Sequence, residues 1–179
     1  MIDYSIMPFG FSFDMNITNS CNIKCKHCYM EKNALTLTDE QAECMLDRLP
    51  LTLNKLVISG GEPYVNYKIL YHIIDYSRKR FGDSHKIRIS TNGVAMYETD
   101  LSIESELCKL SEHRVNELMI SIDSYHIDAG VNLDRLLRIS EIAIEKSLPI
   151  KVRYLNIGKG TRIGQFDEGD ESLVAKSKC

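Results

Sequence analysis

The stretch KLVISGGEPYVNYKILYHIIDYSRKRFGDSHKIRIST, residues 55–91, decides the fold. It opens on Lys55-Leu56-Val57-Ile58-Ser59, a short apolar run ended by Gly60 and Gly61, which reads as a buried strand. Between Tyr67 and Phe81 the residues Leu70, Ile73, Ile74 and Ser77 recur at the helical period, so the spacing predicts a helix with that stripe buried. Ile87-Arg88-Ile89-Ser90-Thr91 gives a second strand, stopped by the turn pair Asn92-Gly93. Strand, helix, strand in that order demands parallel pairing through a right-handed crossover.

The same rhythm continues outward. Upstream, Phe11 to Ile17 alternates apolar and polar residues as a strand does. A polar, Cys-rich loop runs from Thr18 to Asn33. Thr38-Asp39-Glu40-Gln41 is a capping box opening a helix whose apolar positions are Ala42, Met45, Leu46 and Leu49, with Pro50 just beyond. Downstream come a weaker helix over Leu101–Leu110 and a strand over Glu117–Ile122. A helix marked by Leu133, Leu136, Leu137, Ser140, Ala143 and Ile144 follows, then a strand over Pro149–Leu155. The fold class is therefore α/β, with parallel strands and about five βα units. The core spans residues 1–156, and 157–179 form a Gly- and charge-rich tail with at most a short helix near Glu171–Lys176.

The composition fits an ordinary folded domain. Of 179 residues, 44% are hydrophobic and 26% charged, which excludes a disordered or collagenous chain. No apolar run is long enough to span a bilayer, and Met1 to Gly10 lacks the pattern of a secretory signal. With 22 basic and 25 acidic side chains the net charge is −3, against generic nucleic-acid binding. Of the six cysteines, Cys21, Cys25 and Cys28 cluster, while Cys44, Cys108 and Cys179 are scattered. That pattern points to metal binding in a reducing, cytoplasmic setting, with Cys44 and Cys108 as core residues of their helices.

Parallel α/β sheets bind ligands at the carboxyl ends of their strands. The candidate rim is thus the Cys loop, Gly60–Pro63, Ser90–Gly93, Ser121–Ser124 and Arg153–Arg162. Cys21-Asn22-Ile23-Lys24-Cys25-Lys26-His27-Cys28 offers three soft thiolates, suited to zinc, copper(I) or an iron–sulfur cluster. Structural zinc wants four closed ligands, and His27 could serve only from an awkward adjacent position. A 4Fe-4S cluster held by three cysteines leaves one iron open to a substrate or cofactor. Ser121 and Asp123 alternate along their strand and should point the same way, and a buried Asp123 calls for a polar ligand or basic partner. Tyr29, Tyr64, Tyr125, His126 and Arg153 also fall on the rim. Lys151, Arg153, Lys159 and Arg162 form a basic tract followed by acidic Asp167, Glu168, Asp170 and Glu171. This reads as a self-neutralising tail, or else as a surface facing a carboxylate or phosphate.

Taken together, these motifs resemble the radical S-adenosylmethionine (SAM) enzymes over about residues 11–160. The CxxxCxxC loop after the first strand is followed in order by Ser59–Pro63, Ser90–Gly93 and Ser121–Ser124, each at a strand end. The resemblance implies a partial TIM-like barrel, the radical SAM core, with a 4Fe-4S cluster on Cys21, Cys25 and Cys28. SAM would bind the open iron through its amino and carboxylate groups. Glu62 and the carbonyls of Gly60 and Gly61, which let the backbone approach closely, would meet the amino group next to Pro63. Ser90, Asn92, Ser121 and Asp123 would serve the cofactor's polar groups, Arg135 its carboxylate and the His27 backbone its adenine. The reaction implied is one-electron cleavage of SAM followed by hydrogen abstraction from a substrate, fed by a flavodoxin- or ferredoxin-type electron donor.

Family cores usually carry six βα units, so the fifth strand would leave an open barrel edge for a partner strand or peptide. Alternatively, the chain is shortened from a longer enzyme, with Cys179 belonging to an auxiliary cluster. That would suit a peptide-modifying SPASM/twitch-type member, and a peptide or protein substrate is the preferred expectation. A glycyl-radical activating enzyme, a nucleoside-type small-molecule enzyme and a non-catalytic cluster-binding protein are the alternatives. Asp123 is followed by Ser124 and Tyr125 rather than the Asp-x-Lys of many activating enzymes.

Overall fold

The computed structural model describes residues 10–97 and 99–155. Five strands form one sheet: β1 (Phe11–Asn16), β2 (Leu53–Ser59), β3 (Lys86–Thr91), β4 (Glu117–Ser121) and β5 (Lys151–Leu155). They lie side by side in sequence order, each pair parallel. Right-handed crossovers between successive neighbours place every connecting helix on the same side of the sheet. The helices are α1 (Asp39–Asp47), α2 (Tyr67–Phe81), α3 (Asp100–Glu112), α4 (Ser124–Asp128) and α5 (Leu133–Glu145).

The helix-facing side of the sheet is the core. Met15, Leu56, Ile58, Ile87, Ile89, Leu118 and Ile120 are buried there, at alternating positions of β1 to β4. The stripe expected on α2, namely Leu70, Ile73, Ile74 and Ser77, is fully buried. The alternate strand positions look onto the opposite, open face, where Asn16 and Ser59 are joined by a 2.7 Å hydrogen bond. The sheet is the partial, unclosed TIM-like arrangement expected, with β5 paired to β4 alone among the described residues.

Two expectations change, and others lie beyond the described residues. The fourth strand stops at Ser121, and Asp123 becomes the N-cap of the unforeseen helix α4. Cys44 is exposed and Cys108 half-buried, so Cys44 is no core residue. The buried line of α1 runs through Ala42 and Leu46, and Cys44 lies half a turn off it. The expected tail, 157–179, lies outside the described residues, and with it Lys159, Arg162, the Asp167–Glu171 run, the expected helix near Glu171–Lys176 and Cys179. Among the described residues no helix is long and apolar enough to cross a membrane.

The capping box at α1 is present in full: Gln41 N donates to Thr38 Oγ1 and Thr38 N to Gln41 Oε1. Thr38→Ala is expected to cost about 1 kcal/mol, read as a lower urea midpoint with unchanged slope.

Candidate functional site

The Cys loop leaves β1 through a narrow neck. Thr18 and Thr36 form an isolated antiparallel bridge, and Asn19 N donates to the Leu35 carbonyl at 2.8 Å. Thr18 is buried, and its hydroxyl also accepts from Asn66 Nδ2 at 2.8 Å. The inner side of the loop is stitched to the end of β2, since Gly61 N donates to the Thr18 carbonyl (2.7 Å) and Glu62 N to the Ser20 carbonyl (2.8 Å).

That approach explains both glycines. A Cβ on Gly60 would sit 2.5 Å from the Thr18 carbonyl oxygen, and one on Gly61 would sit 2.2 Å from that of Ser20. Gly60 also has φ +153°. The close approach read from the sequence is therefore made first to the chain's own backbone, which holds the Cys loop against β2. Gly61→Ala is expected to cost about 2 kcal/mol and to loosen the loop, because the obstacle is backbone that no rotamer change relieves. Faster amide exchange at Gly61 and Glu62 would report it.

Glu62 links the next pair of strand ends. Its carboxylate is fully buried and accepts from Thr91 Oγ1 (2.6 Å), Asn92 N (2.7 Å) and Tyr64 N (3.2 Å). Burial lifts its pKa to about 7, against the downward pull of those three donors. The resemblance had placed this side chain on the SAM amino group. Both its oxygens take donors from the chain itself, and these bonds lock the β2 and β3 ends together. Pro63 is buried and starts a short 3-10 turn capped by Glu62. Asn92, buried by this lock, turns its amide to Asn22 Oδ1 (2.8 Å) and to Cys21 Sγ (3.8 Å). It thereby joins the β3 turn to the Cys loop.

The loop's other flank rests on the end of β4. Asp123 Oδ1 caps α4 through His126 N (2.9 Å) and meets His126 Nδ1 at 2.8 Å, while Oδ2 lies 3.7 Å from His27 Nε2. The buried carboxylate thus lies between two imidazoles, and its Oδ2 makes no hydrogen bond among the described residues. The His27 ring also packs on Tyr125, with centroids 4.6 Å apart. The His27 side chain, which had been assigned no role of its own, thus clasps the Cys loop to the β4–α4 corner.

The remaining candidates divide. Ser90 and Ser121 lie half-buried on the open face. Arg135 is held by Asp100 (2.7 Å) and by the Tyr97 carbonyl (3.0 Å), which leaves its buried Nη2 without a hydrogen-bond partner. Tyr64 is buried and Tyr29 exposed. Thr18, Asn22, Asn66 and Thr91 were not singled out from sequence. Their partners lie dozens of residues away, and no local spacing signals them.

The donor set fits a cluster. Burial raises the Cys25 thiol; Lys32 opposes this, while Cys21, Asp123 and Cys28 push the same way as burial. A bound metal cation would relieve that cost at Cys25. Cys44 and Cys108, on α1 and α3, are not part of the loop.

The radical SAM superfamily model matches residues 15–163. This chain belongs to that superfamily. It is 30% identical over 156 residues to the probable GTP 3',8-cyclase of Methanococcus maripaludis, covering 80% of this chain and 49% of that one. It is 35% identical over 125 residues to the antilisterial bacteriocin subtilosin biosynthesis protein AlbA of Bacillus subtilis, covering 66% of this chain and 25% of that one. The solved structure of native anSMEcpe with bound AdoMet and Cp18Cys peptide has the same fold. Its TM-score is 0.58 at 22% identity, over 82% of this chain and 43% of that one. The chain spans about half the length of the cyclases it matches. Family membership assigns it a 4Fe-4S cluster and SAM, and the N-terminal loop carries Cys21, Cys25 and Cys28.

Proposed function

We propose that this chain is the cluster- and SAM-binding core of a radical SAM enzyme that modifies a peptide. When bound, the cluster and SAM supply one-electron cleavage chemistry that ends in removal of a hydrogen from the substrate. The chain's own part is to hold and orient. The Gly60 and Gly61 carbonyls, Ser90, Asn92, Ser121 and Asp123 are the proposed contacts to SAM. Arg135, through its unpartnered Nη2, is the proposed partner of the SAM carboxylate. His27 keeps the Cys loop seated while electrons arrive from a flavodoxin- or ferredoxin-type donor in the cytoplasm.

The observation carrying the peptide reading is the open face. Five parallel strands, about 19 Å across at the usual strand spacing, present it, since right-handed crossovers put the connecting helices on the other side. Such a floor has room for an extended chain beside SAM. The relatedness to AlbA supports this reading. The relatedness to GTP cyclases supports a nucleotide substrate as the second reading.

Anaerobic reconstitution with iron and sulfide, reduction, and measurement of 5'-deoxyadenosine test the enzyme assignment. Substrate-dependent 5'-deoxyadenosine release with candidate peptides but not with GTP supports the peptide reading. GTP-dependent release alone would replace it. No cleavage by a cluster-loaded protein would leave a binding role.

A further inference from the structure

The open face carries charge of the opposite sign to the chain as a whole. Alternation along the strands, fixed by the Asn16–Ser59 bond and the contacts below, assigns Asp14, Lys55, Lys86, Arg88, Glu117, Lys151 and Arg153 to it. Five basic side chains against two acidic ones leave a strand floor of net charge +3, in a chain whose net charge is −3.

The centre of this floor is built. Arg88 grips Glu117 Oε2 through Nε (2.9 Å) and Nη2 (2.8 Å), and Arg153 Nε lies 2.6 Å from Glu117 Oε1. The Glu117 side chain is 12% exposed, Arg88 22% and Arg153 45%. One carboxylate between two guanidiniums leaves a positive charge uncompensated. No described residue bonds the Nη atoms of the half-exposed Arg153, which leaves that edge of the guanidinium free to take a planar carboxylate. Arg153 pairs in register with Met119, one inward-facing layer and about 7 Å below Ser121 on the cofactor rim.

We propose that this face docks an acidic segment of the peptide substrate, with Arg153 receiving a Glu or Asp carboxylate and Lys55, Lys86 and Lys151 steering it in. The inference rests on the peptide reading above and adds the substrate's charge. An acidic segment is repelled by the rest of the molecule and drawn to this floor, which sets both orientation and on-rate. Glu117 holds Arg88 and orients Arg153, so it acts as a positioning residue.

The test uses the full 179-residue chain and does not depend on turnover. Two fluorescein-labelled peptides, one with several Glu among Gly and Ser and one with Gln in their place, are titrated by anisotropy at low ionic strength. The Glu peptide should bind about tenfold more tightly, and the difference should vanish at about 0.5 M salt. Arg153→Gln should remove most of that preference and Lys151→Gln part of it. Lys79→Gln, the same charge change on α2 behind the sheet, should leave it intact. Unchanged melting curves confirm that the variants fold. Equal binding of the two peptides, or equal loss with Lys79→Gln, would overturn the proposal. So would GTP displacing the Glu peptide while binding more tightly itself. Because 5'-deoxyadenosine release is measured separately, failure of the peptide reading and failure of this inference are told apart.

Discussion

Cys25→Ala will leave a folded protein that holds less than one iron per chain and releases no 5'-deoxyadenosine. Cys25 is the middle of the three proposed ligands, half-buried and in electrostatic contact with Cys21, Cys28 and Asp123. Removing it leaves two thiolates, too few to retain a cluster that offers three irons to the protein. The fold should survive because the loop is pinned elsewhere. The Thr18–Thr36 bridge closes its neck, and the Thr18 and Ser20 carbonyls fasten it to Gly61 and Glu62. The lost packing of one small side chain is worth about 1 kcal/mol in the metal-free protein. Iron analysis, expected to fall from about four per chain, and a thermal melt of the metal-free form separate the two effects. Retained SAM cleavage in the variant would refute the cluster assignment outright. Matching loss of fold and iron would show that the neck is weaker than its hydrogen bonds suggest.

Helix α2 was legible because its stripe of Leu70, Ile73, Ile74 and Ser77 obeys the helical period, and it ends at Phe81 as the spacing predicted. The strands were legible for a related reason: Ile58, Ile89 and Ile120 stand at every second position beside polar residues that face the other way. Helix α4 was missed because five residues are too few to display a period; only Asp123, an ordinary N-cap, announced it. The chemistry of the rim could be read residue type by residue type, since thiols and paired glycines are rare and local. Its wiring could not. That Glu62 would reach Thr91 and Asn92, or that His27 would lean on Asp123, depends on contacts across strands that spacing does not encode. The open face is the intermediate case. Lys151 and Arg153 were noticed as a basic tract, yet only the register with Glu117 and Arg88 shows that the charge gathers on one floor.

Glu62→Ala should destabilise the protein by about 4 kcal/mol at pH 5, the largest effect expected of any change outside the Cys loop. The substitution strips acceptors from Tyr64 N, Asn92 N and Thr91 Oγ1 in a site without solvent, each group at a cost of about 1–2 kcal/mol. The cost should shrink as the pH rises. Burial raises the Glu62 pKa from 4.5 to about 7, so the folded chain holds this proton more tightly than the unfolded chain does. The unfolded state then binds fewer protons between those values, and wild-type stability falls with rising pH across that window. The loss is absent below about 4.5, complete above about 7 and at most about 3 kcal/mol. The alanine variant lacks the group, so the wild-type advantage should narrow from pH 5 to pH 7.5, measured by urea unfolding at each pH. If the advantage widened instead, the three donors would outweigh burial and Glu62 would be held as the anion. The same carboxylate fixes Asn92 against Cys21, so the variant's reconstituted cluster should also be lost more readily to a chelator.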